Sequence, residues 1–258
     1  MTKTVVIQSF HAEPRPAVIT LCIQTVFTWA KQNRYDYKFF GDEVIGILPE
    51  NLRINCFGRW PMMMDLVRLL LIRKLLDQCA DRVIWFDADV LIFAPQLFSV
   101  DESIPLLVGR EIWVSRTKKQ TWKTRRHVHN AVLSFKNETP VLDFLIYASE
   151  RIVKRLISRP SPQVLGPKLF SHLHNLVDFP VLETAGMVSP YVMADLLLGD
   201  GPALTCHLRA QKESMLAANL SHSLVGQTYD ETPVTQQLLF QTAETLMKKF
   251  SKSGLNTR

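Results

Sequence analysis

At 258 residues, with 47% hydrophobic and 21% charged residues, the chain has the composition of a folded globular protein that can bury a substantial core, neither disordered nor fibrous. Its formal net charge of +6 favours anionic partners such as nucleotides, phosphates or a lipid surface, without singling out nucleic acid. Cys22, Cys56, Cys79 and Cys206 show no CxxC or zinc-type spacing, which argues against a disulfide framework or a cysteine metal site. The opening MTKTVVIQSF has too short an apolar run for a secretory signal, and no stretch approaches the about 18 apolar residues of a membrane span, so a cytoplasmic protein is expected.

In chain order, residues 4–10 read as a buried first strand ending in polar Gln8 and Ser9. Residues 17–32 follow with helical spacing, and 37–40 read as a second strand closed by Gly41 and Asp42. A strand, helix, strand unit argues for an α/β fold with a mostly parallel sheet. Pro61 opens an apolar helix over 62–79 that leads into residues 83–93, VIWFDADVLIF. Residues 106–108 and 131–135 are further strands, and 140–157 form an amphipathic helix. The Pro-rich RPSPQVLGP, 159–167, is the best internal boundary. Residues 116–126, RTKKQTWKTRR, have no apolar period and read as a solvated loop or as a mobile basic flap over an anionic donor or a membrane surface.

VIWFDADVLIF carries the chemistry. Along a strand, side chains alternate, so Asp87 and Asp89 are expected on one face with Ala88 opposite. Two ionised carboxylates crowded at the end of a buried strand repel each other, and burying them unpaired is costly. A divalent cation resolves the conflict, and oxygen-only ligands suit Mg²⁺ or Mn²⁺. The plainer alternative is that both aspartates cap the strand and accept from loop amides.

The pairing of MMMDLVRLLLIRKLL, 62–76, with VIWFDADVLIF resembles the GT-A-fold glycosyltransferases of the nucleotide-diphospho-sugar transferase superfamily. The likeness is greatest to capsular-polysaccharide, mannosyl and galactosyl transferases, in which a helix bearing Asp-Leu-x-Arg precedes a DxD strand. The resemblance implies a GT-A (Rossmann-like), mostly parallel central sheet flanked by helices, with a smaller C-terminal acceptor-side region. It divides the chain into a nucleotide-sugar-binding half, 1–158, and an acceptor-side part, 159–258. It gives Asp87 and Asp89 the metal, with Ala88 between them at the donor, and sets Asp65 and Arg68 against the donor sugar and nucleotide. Those two lie three apart on one helical face and can act together, or form a buried ion pair that only stabilises the helix. Asn130, opening the strand after the DxD, is implied on the acceptor side as a third catalytic candidate. Gly166-Pro167 is similar to the pair that introduces the next helix, and ANLSHSL, 218–224, to the late segment whose histidine, here His222, reaches the metal or diphosphate. Gln8, Ser9 and Phe10, at the carboxyl end of the first strand, lie where open α/β sheets place a nucleotide. Two departures stand out: Asp81-Arg82 replaces the usual Gly-Gly before the DxD strand, and Leu224-Val225-Gly226 replaces an aromatic ending after the late histidine.

The expectation is therefore a transferase, dependent on Mn²⁺ or Mg²⁺, that moves a sugar from a UDP- or GDP-linked donor to a glycan or glycolipid acceptor. Retention of configuration is implied by the resemblance alone. Peripheral contact with the inner face of a membrane through 116–126 belongs to the same expectation. Three rivals stay open. In a haloacid-dehalogenase-type phosphatase Asp87 would be the nucleophile, but some eighty residues precede it and GDGP, 199–202, offers a single later carboxylate. A nucleotidyltransferase would need a glycine-rich, lysine-bearing first loop, which 9–16 lacks. The third rival is a non-catalytic sugar- or nucleotide-binding module on a degenerate scaffold. The His-x-His pairs 127/129 and 172/174 lack a third zinc ligand nearby.

Overall fold

A computed structural model describes residues 3–11, 13–137, 139–229 and 232–256. The first strand β1 (Thr4–Ser9), helix α1 (Ala17–Gln32) and strand β2 (Asp36–Phe40) form the expected unit, with β1 parallel to β2. Helix α2 (Glu50–Asn55) then leads through a tight corner into α3 (Trp60–Gln78). Next come β3 (Arg82–Phe86), β4 (Val90–Ile92), β5 (Leu106–Arg116) and β6 (Trp122–Lys136). Helices α4 (Pro140–Lys154) and α5 (Pro167–Val177) follow, then the short strands β7 (Val181–Leu182) and β8 (Ala185–Met187). The chain closes with α6 (Pro190–Leu198), α7 (Pro202–Ala210), β9 (Ala217–Asn219), a small two-stranded ribbon and α8 (Gln236–Phe250).

The main sheet has six strands in the order β2-β1-β3-β6-β5-β7. The strands β1, β2 and β3 are mutually parallel, β7 is parallel to β5, and β6 runs antiparallel between β3 and β5. The sheet is thus mostly parallel and flanked by helices on both faces, as expected of a GT-A-type chain. Alternation sorts the strands onto the two faces. Val5, Ile7, Val83 and Trp85 pack with α2, α3, α4 and α5, whereas Val6, Ile84 and Phe86 pack with α1, α6, α8 and a second, smaller sheet. Covered by β3 on one side and α4 on the other, α3 is apolar around most of its circumference, and Asp65 and Arg68 are buried with it.

Two expectations change. Residues 83–93 are two strands in two sheets: β3 lies in the large sheet, while β4 pairs antiparallel with β9, which is parallel to β8. The run breaks at a turn in which the Val90 N–H donates to the Asp87 carbonyl at 3.1 Å. Both halves are apolar because both are buried, and hydrophobicity does not say in which sheet. The basic segment 116–126 is the end of the β5–β6 hairpin, turning where the Thr117 N–H donates to the Thr121 carbonyl at 2.9 Å. It is polar on both faces because Lys118, Lys119, Lys123 and Arg125 are exposed there. Pro167 opens α5. Beyond residue 158, β7 completes the large sheet while β8 and β9 form the small one with β4. Among the described residues no helix is long and apolar enough to cross a membrane.

Candidate active site at the junction of the two sheets

Asp87, Ala88 and Asp89 occupy the turn where the chain leaves the large sheet for the small one. Strand alternation carries Trp85 and Asp87 to the α3 side, and the Trp85 indole N–H donates to Asp87 Oδ1 at 2.7 Å. From α3, Arg68 Nη2 lies 3.1 Å from Asp87 Oδ1 and 3.4 Å from Asp65 Oδ1, and its guanidinium stands 5.1 Å over the Trp85 ring. Asn130 completes the ring of contacts: its Nδ2 donates to Asp65 Oδ1 at 2.7 Å, while its carbonyl accepts from Arg68 Nη1.

Asn130 arrives there through a β-bulge. Pairing between β5 and β6 jumps from Val108 opposite Leu133 to Gly109 opposite His129, leaving Asn130, Ala131 and Val132 without partners on β5. Bulges of this kind re-aim side chains. The freed Ala131 carbonyl accepts from the Asp87 N–H at 2.7 Å. Gly109 is required at the jump, since a Cβ there would lie 2.2 Å from the His129 ring. From the other side Gly166 closes on the cluster, where a Cβ would stand 2.6 Å from Asp65 Oδ2 and 3.0 Å from Asn130 Nδ2.

Asp89 is held by a different part of the chain. Its Oδ1 accepts from Asn219 Nδ2 at 2.9 Å and its Oδ2 from the His222 backbone N–H at 2.8 Å. Asn219 Oδ1 in turn accepts from the Ser221 N–H at 2.7 Å, while Ser221 adopts the left-handed region at φ 52°. Burial pushes the Asp65 carboxyl up to about 6, with Arg68 and Asn130 pulling against it. Burial likewise raises Asp87, opposed by Arg68 and reinforced by Asp89. Asp89 is raised by burial against the hydrogen bond from the His222 N–H. Charge on both aspartates is thus unfavourable without a cation beyond Arg68.

The structure gathers Asp65, Arg68, Asn130 and Asp87 into one contact network, with Asp89 on its far side. The alternation argument for the two aspartates fails: Asp89 lies past the end of β3, in the turn, and reaches the β9 side. Ala88 is buried against the α1 face. Gln8 is fully buried and braces the turn, donating from Nε2 to the Asp87 carbonyl at 3.2 Å and accepting from the Tyr37 hydroxyl at 2.9 Å. Ser9 and Phe10 lie partly exposed at the end of β1. The Phe10 ring meets His222 edge-on at 6.1 Å, so the late segment folds back over the first strand. His222 reaches Asp89 through its backbone, and its ring Nε2 sits 2.8 Å from Gln236 Nε2. The capping alternative describes Asp89 in part, and the ion-pair alternative describes a contact that Arg68 does make with Asp65. Sequence reasoning missed Trp85 and Asn219. The first was findable two residues before Asp87 on the same strand face, and the second only as a neighbour of His222.

The residues fit a hard divalent ion. Two neighbouring half-buried carboxylates whose charge lacks compensation supply oxygen ligands, and such ions take one or two carboxylates and complete their shell with phosphate and water. Among the described residues no group of three or more His, Cys, Asp or Glu side chains is gathered around one point.

No protein-family profile and no curated protein sequence matches the chain. Among solved structures it is similar to a glycosyltransferase involved in glycosylation of the major capsid of the virus PBCV-1, at 9% identity and a TM-score of 0.44 over 94% of this chain and 98% of that one. It is also similar to the galactosyltransferase LgtC in complex with donor and acceptor sugar analogues, at 13% identity and 0.43 over 94% and 95%. A third is mouse xyloside xylosyltransferase 1, at 8% and 0.41 over 91% and 100%. These are distant likenesses of shape.

Proposed function

We propose that the chain is a glycosyltransferase, dependent on Mn²⁺ or Mg²⁺, that moves a sugar from a UDP- or GDP-linked donor to a glycan or glycolipid acceptor, with retention at the sugar carbon. The observation that carries the reading is the junction itself: two half-buried carboxylates at the carboxyl edge of a mostly parallel sheet, flanked by one arginine and short of positive charge. Ligands of open α/β sheets sit at that edge. Asp87 and Asp89 would hold the ion, which when bound supplies Lewis-acid neutralisation of the departing diphosphate. Arg68 keeps Asp87 oriented, and Asp65 with Asn130 presents a fixed polar wall to the donor sugar. Ser9 and Phe10 would meet the base or ribose, with Gln8 behind them holding the turn. Residues 159–258 supply the acceptor side. The cationic end of the β5–β6 hairpin is suited to the anionic donor. In this reading the His222 ring, now against Gln236, would supply a further ligand.

The test is calorimetric binding of UDP and GDP with and without Mn²⁺, followed by release of nucleoside diphosphate from a panel of nucleotide sugars. Asp87→Asn and Asp89→Asn are expected to abolish the Mn²⁺-dependent part of binding while the fold persists, since each removes charge from a repulsive pair. His222→Ala is expected to weaken Mn²⁺ affinity roughly 10- to 100-fold, as other losses around metal sites do. Unchanged binding by both aspartate variants, or a phosphorylated Asp87 trapped and found by mass spectrometry, would overturn the reading.

A further inference from the structure

The corner between α2 and α3 carries an unusual set of exposed apolar side chains. Ile54 is 68% exposed, and Phe57 and Trp60 follow it into solvent. Phe57 adopts φ 53° and Gly58 φ 67°, both in the left-handed region. For a bulky residue such a conformation is strained, and strain of this kind persists where the surroundings impose it. Here it turns an aromatic ring outward.

The end of α4 belongs to the same surface. Arg73, late in α3, pairs with Asp143, in the first turn of α4, while α2 packs on α4. The two long helices are therefore antiparallel, and the close of α4 lies beside Trp60. Just past that close, Ile157 is 96% exposed between Arg155 and Arg159. Tyr147, 61% exposed, shares its stripe of α4 with Arg151 and Arg155 at helical i, i+4, i+8 spacing, opposite the buried Leu142, Leu145, Ser149 and Val153. Across 50–60 and 147–159 the cations are Arg53, Arg59, Arg151, Lys154, Arg155 and Arg159, and the carboxylates are Glu50 and Glu150. Glu150 and Lys154 offset each other at 2.9 Å, which leaves five arginines against Glu50.

We infer that this corner docks on an anionic lipid surface, with Ile54, Phe57 and Ile157 entering the interface and the surrounding arginines meeting the headgroups. Apolar and aromatic tips inside a cationic rim match such a membrane, where buried apolar area and attraction to acidic headgroups act together. The excess of positive charge calls for an anionic occupant, and an acidic protein in place of lipid would show as absence of binding to either vesicle. The β5–β6 hairpin, by contrast, offers cations without free apolar tips, since Trp122 is packed against Arg116 and Tyr191. Docking at the corner also has a positional consequence. Trp60 precedes Asp65 by about 7.5 Å along the axis of α3, so the junction would open close to the lipid headgroups. The inference does not depend on the chemistry of the junction, because partition is read with no sugar nucleotide present.

The experiment is sedimentation of the whole chain with vesicles of phosphatidylcholine, alone or mixed with phosphatidylglycerol, at low and high salt. Binding is expected to the mixed vesicles only, and to fall as salt rises. Substituting Ile54→Ser, Phe57→Ser and Ile157→Ser together should lower partition at least ~10-fold with an unchanged melting temperature. Should that variant fold poorly, Arg155→Glu with Arg159→Glu, both on exposed side chains, should lower it at least ~10-fold. Lys118→Glu with Lys119→Glu at the hairpin should change it little. Absence of binding to either vesicle, equal binding to both, or loss through the hairpin variant alone would each overturn the inference.

Discussion

The two acidic residues of the junction are one residue apart in sequence and are held by opposite ends of the chain. Asp87 is fixed by residues that precede or follow it within the large sheet and its covering helix: Trp85, Arg68 and, through Arg68, Asp65 and Asn130. Asp89 is fixed by neutral donors some 130 positions later, the Asn219 amide and the His222 N–H. The difference is one of charge as well as of origin. A carboxylate against a buried arginine is part of the fold's electrostatic balance, and removing the cation strands two acids. A carboxylate satisfied by neutral donors keeps its full charge available to an incoming cation. Removing the cation of the first half should therefore cost the fold, and removing a neutral donor of the second should cost the ligand.

Removing Arg68 tests the first half and should have the largest effect. Arg68→Met keeps the stem and leaves Asp65 and Asp87 facing each other, with Arg68 and Asp65 each only 7% exposed and Asp87 27%. A loss of about 3 kcal/mol is expected from urea unfolding at neutral pH, the lower end for breaking a buried pair. A loss below about 1 kcal/mol would mean that water reaches the pair and that the two halves do not differ as argued.

Gly166→Ala should come next. The added methyl would sit 2.6 Å from Asp65 Oδ2, closer than real Cβ contacts, so either α5 retreats or Asp65 turns away from Asn130. About 2 kcal/mol of destabilisation is expected from such overpacking, with weaker donor binding. Full stability together with full nucleotide affinity would show that the loop before α5 does not hold Asp65.

Asn219→Ala addresses the other half. One neutral donor to Asp89 disappears while the His222 N–H remains, so roughly 1 kcal/mol of stability is expected to be lost. Mn²⁺-dependent nucleotide affinity should fall roughly 10-fold, because the remaining donor lets the carboxylate rotate. The contrast with Arg68→Met is the measurement that matters. If Asn219→Ala costs more stability than Arg68→Met, the division of labour is reversed.

How much of this was legible depended on which residues break a local pattern. Asp65, Arg68, Asp87 and Asp89 stand out in apolar runs, and an apolar run with a charge in it announces both its own burial and the need for a partner. The helices 17–32 and 140–157 were legible from spacing because each has a wet side, although the second stops at Lys154. The break at Asp87–Val90 was not, since burial in the large sheet and burial in the small one favour the same residues. The hairpin over 106–136 was hidden for the opposite reason: its far end is polar on both faces, so neither period appears. Asn219 could not be found locally, because its role exists only once β9 has paired with β4. Even Asn130, which the resemblance implies, depends on a bulge that no pattern in the sequence marks.

A check that the junction acids are not confused with other shielded acids concerns pH. Glu111 lies on β5 away from the junction, and burial raises its carboxyl to about 7, with Arg125 pulling it down. Its folded value exceeds the ordinary 4.5, so between about 4.5 and 7 the folded state holds a proton that the unfolded chain has lost. The stability Glu111 contributes is then full below about 4.5 and declines as pH rises to about 7. His129 behaves in the opposite sense. Buried and neutral, with its ordinary 6.5 lowered to about 4, it adds stability above about 6.5 that is lost as pH falls towards about 4. The two slopes oppose each other across the shared window. The gap in urea midpoint between Glu111→Gln and the parent should therefore widen in favour of the variant as pH rises from about 4.5 to about 7 and then stay level. A gap that is flat with pH, or that narrows, would show that Glu111 is solvated. The pH dependence of the parent would then belong to His129 and the three junction carboxylates.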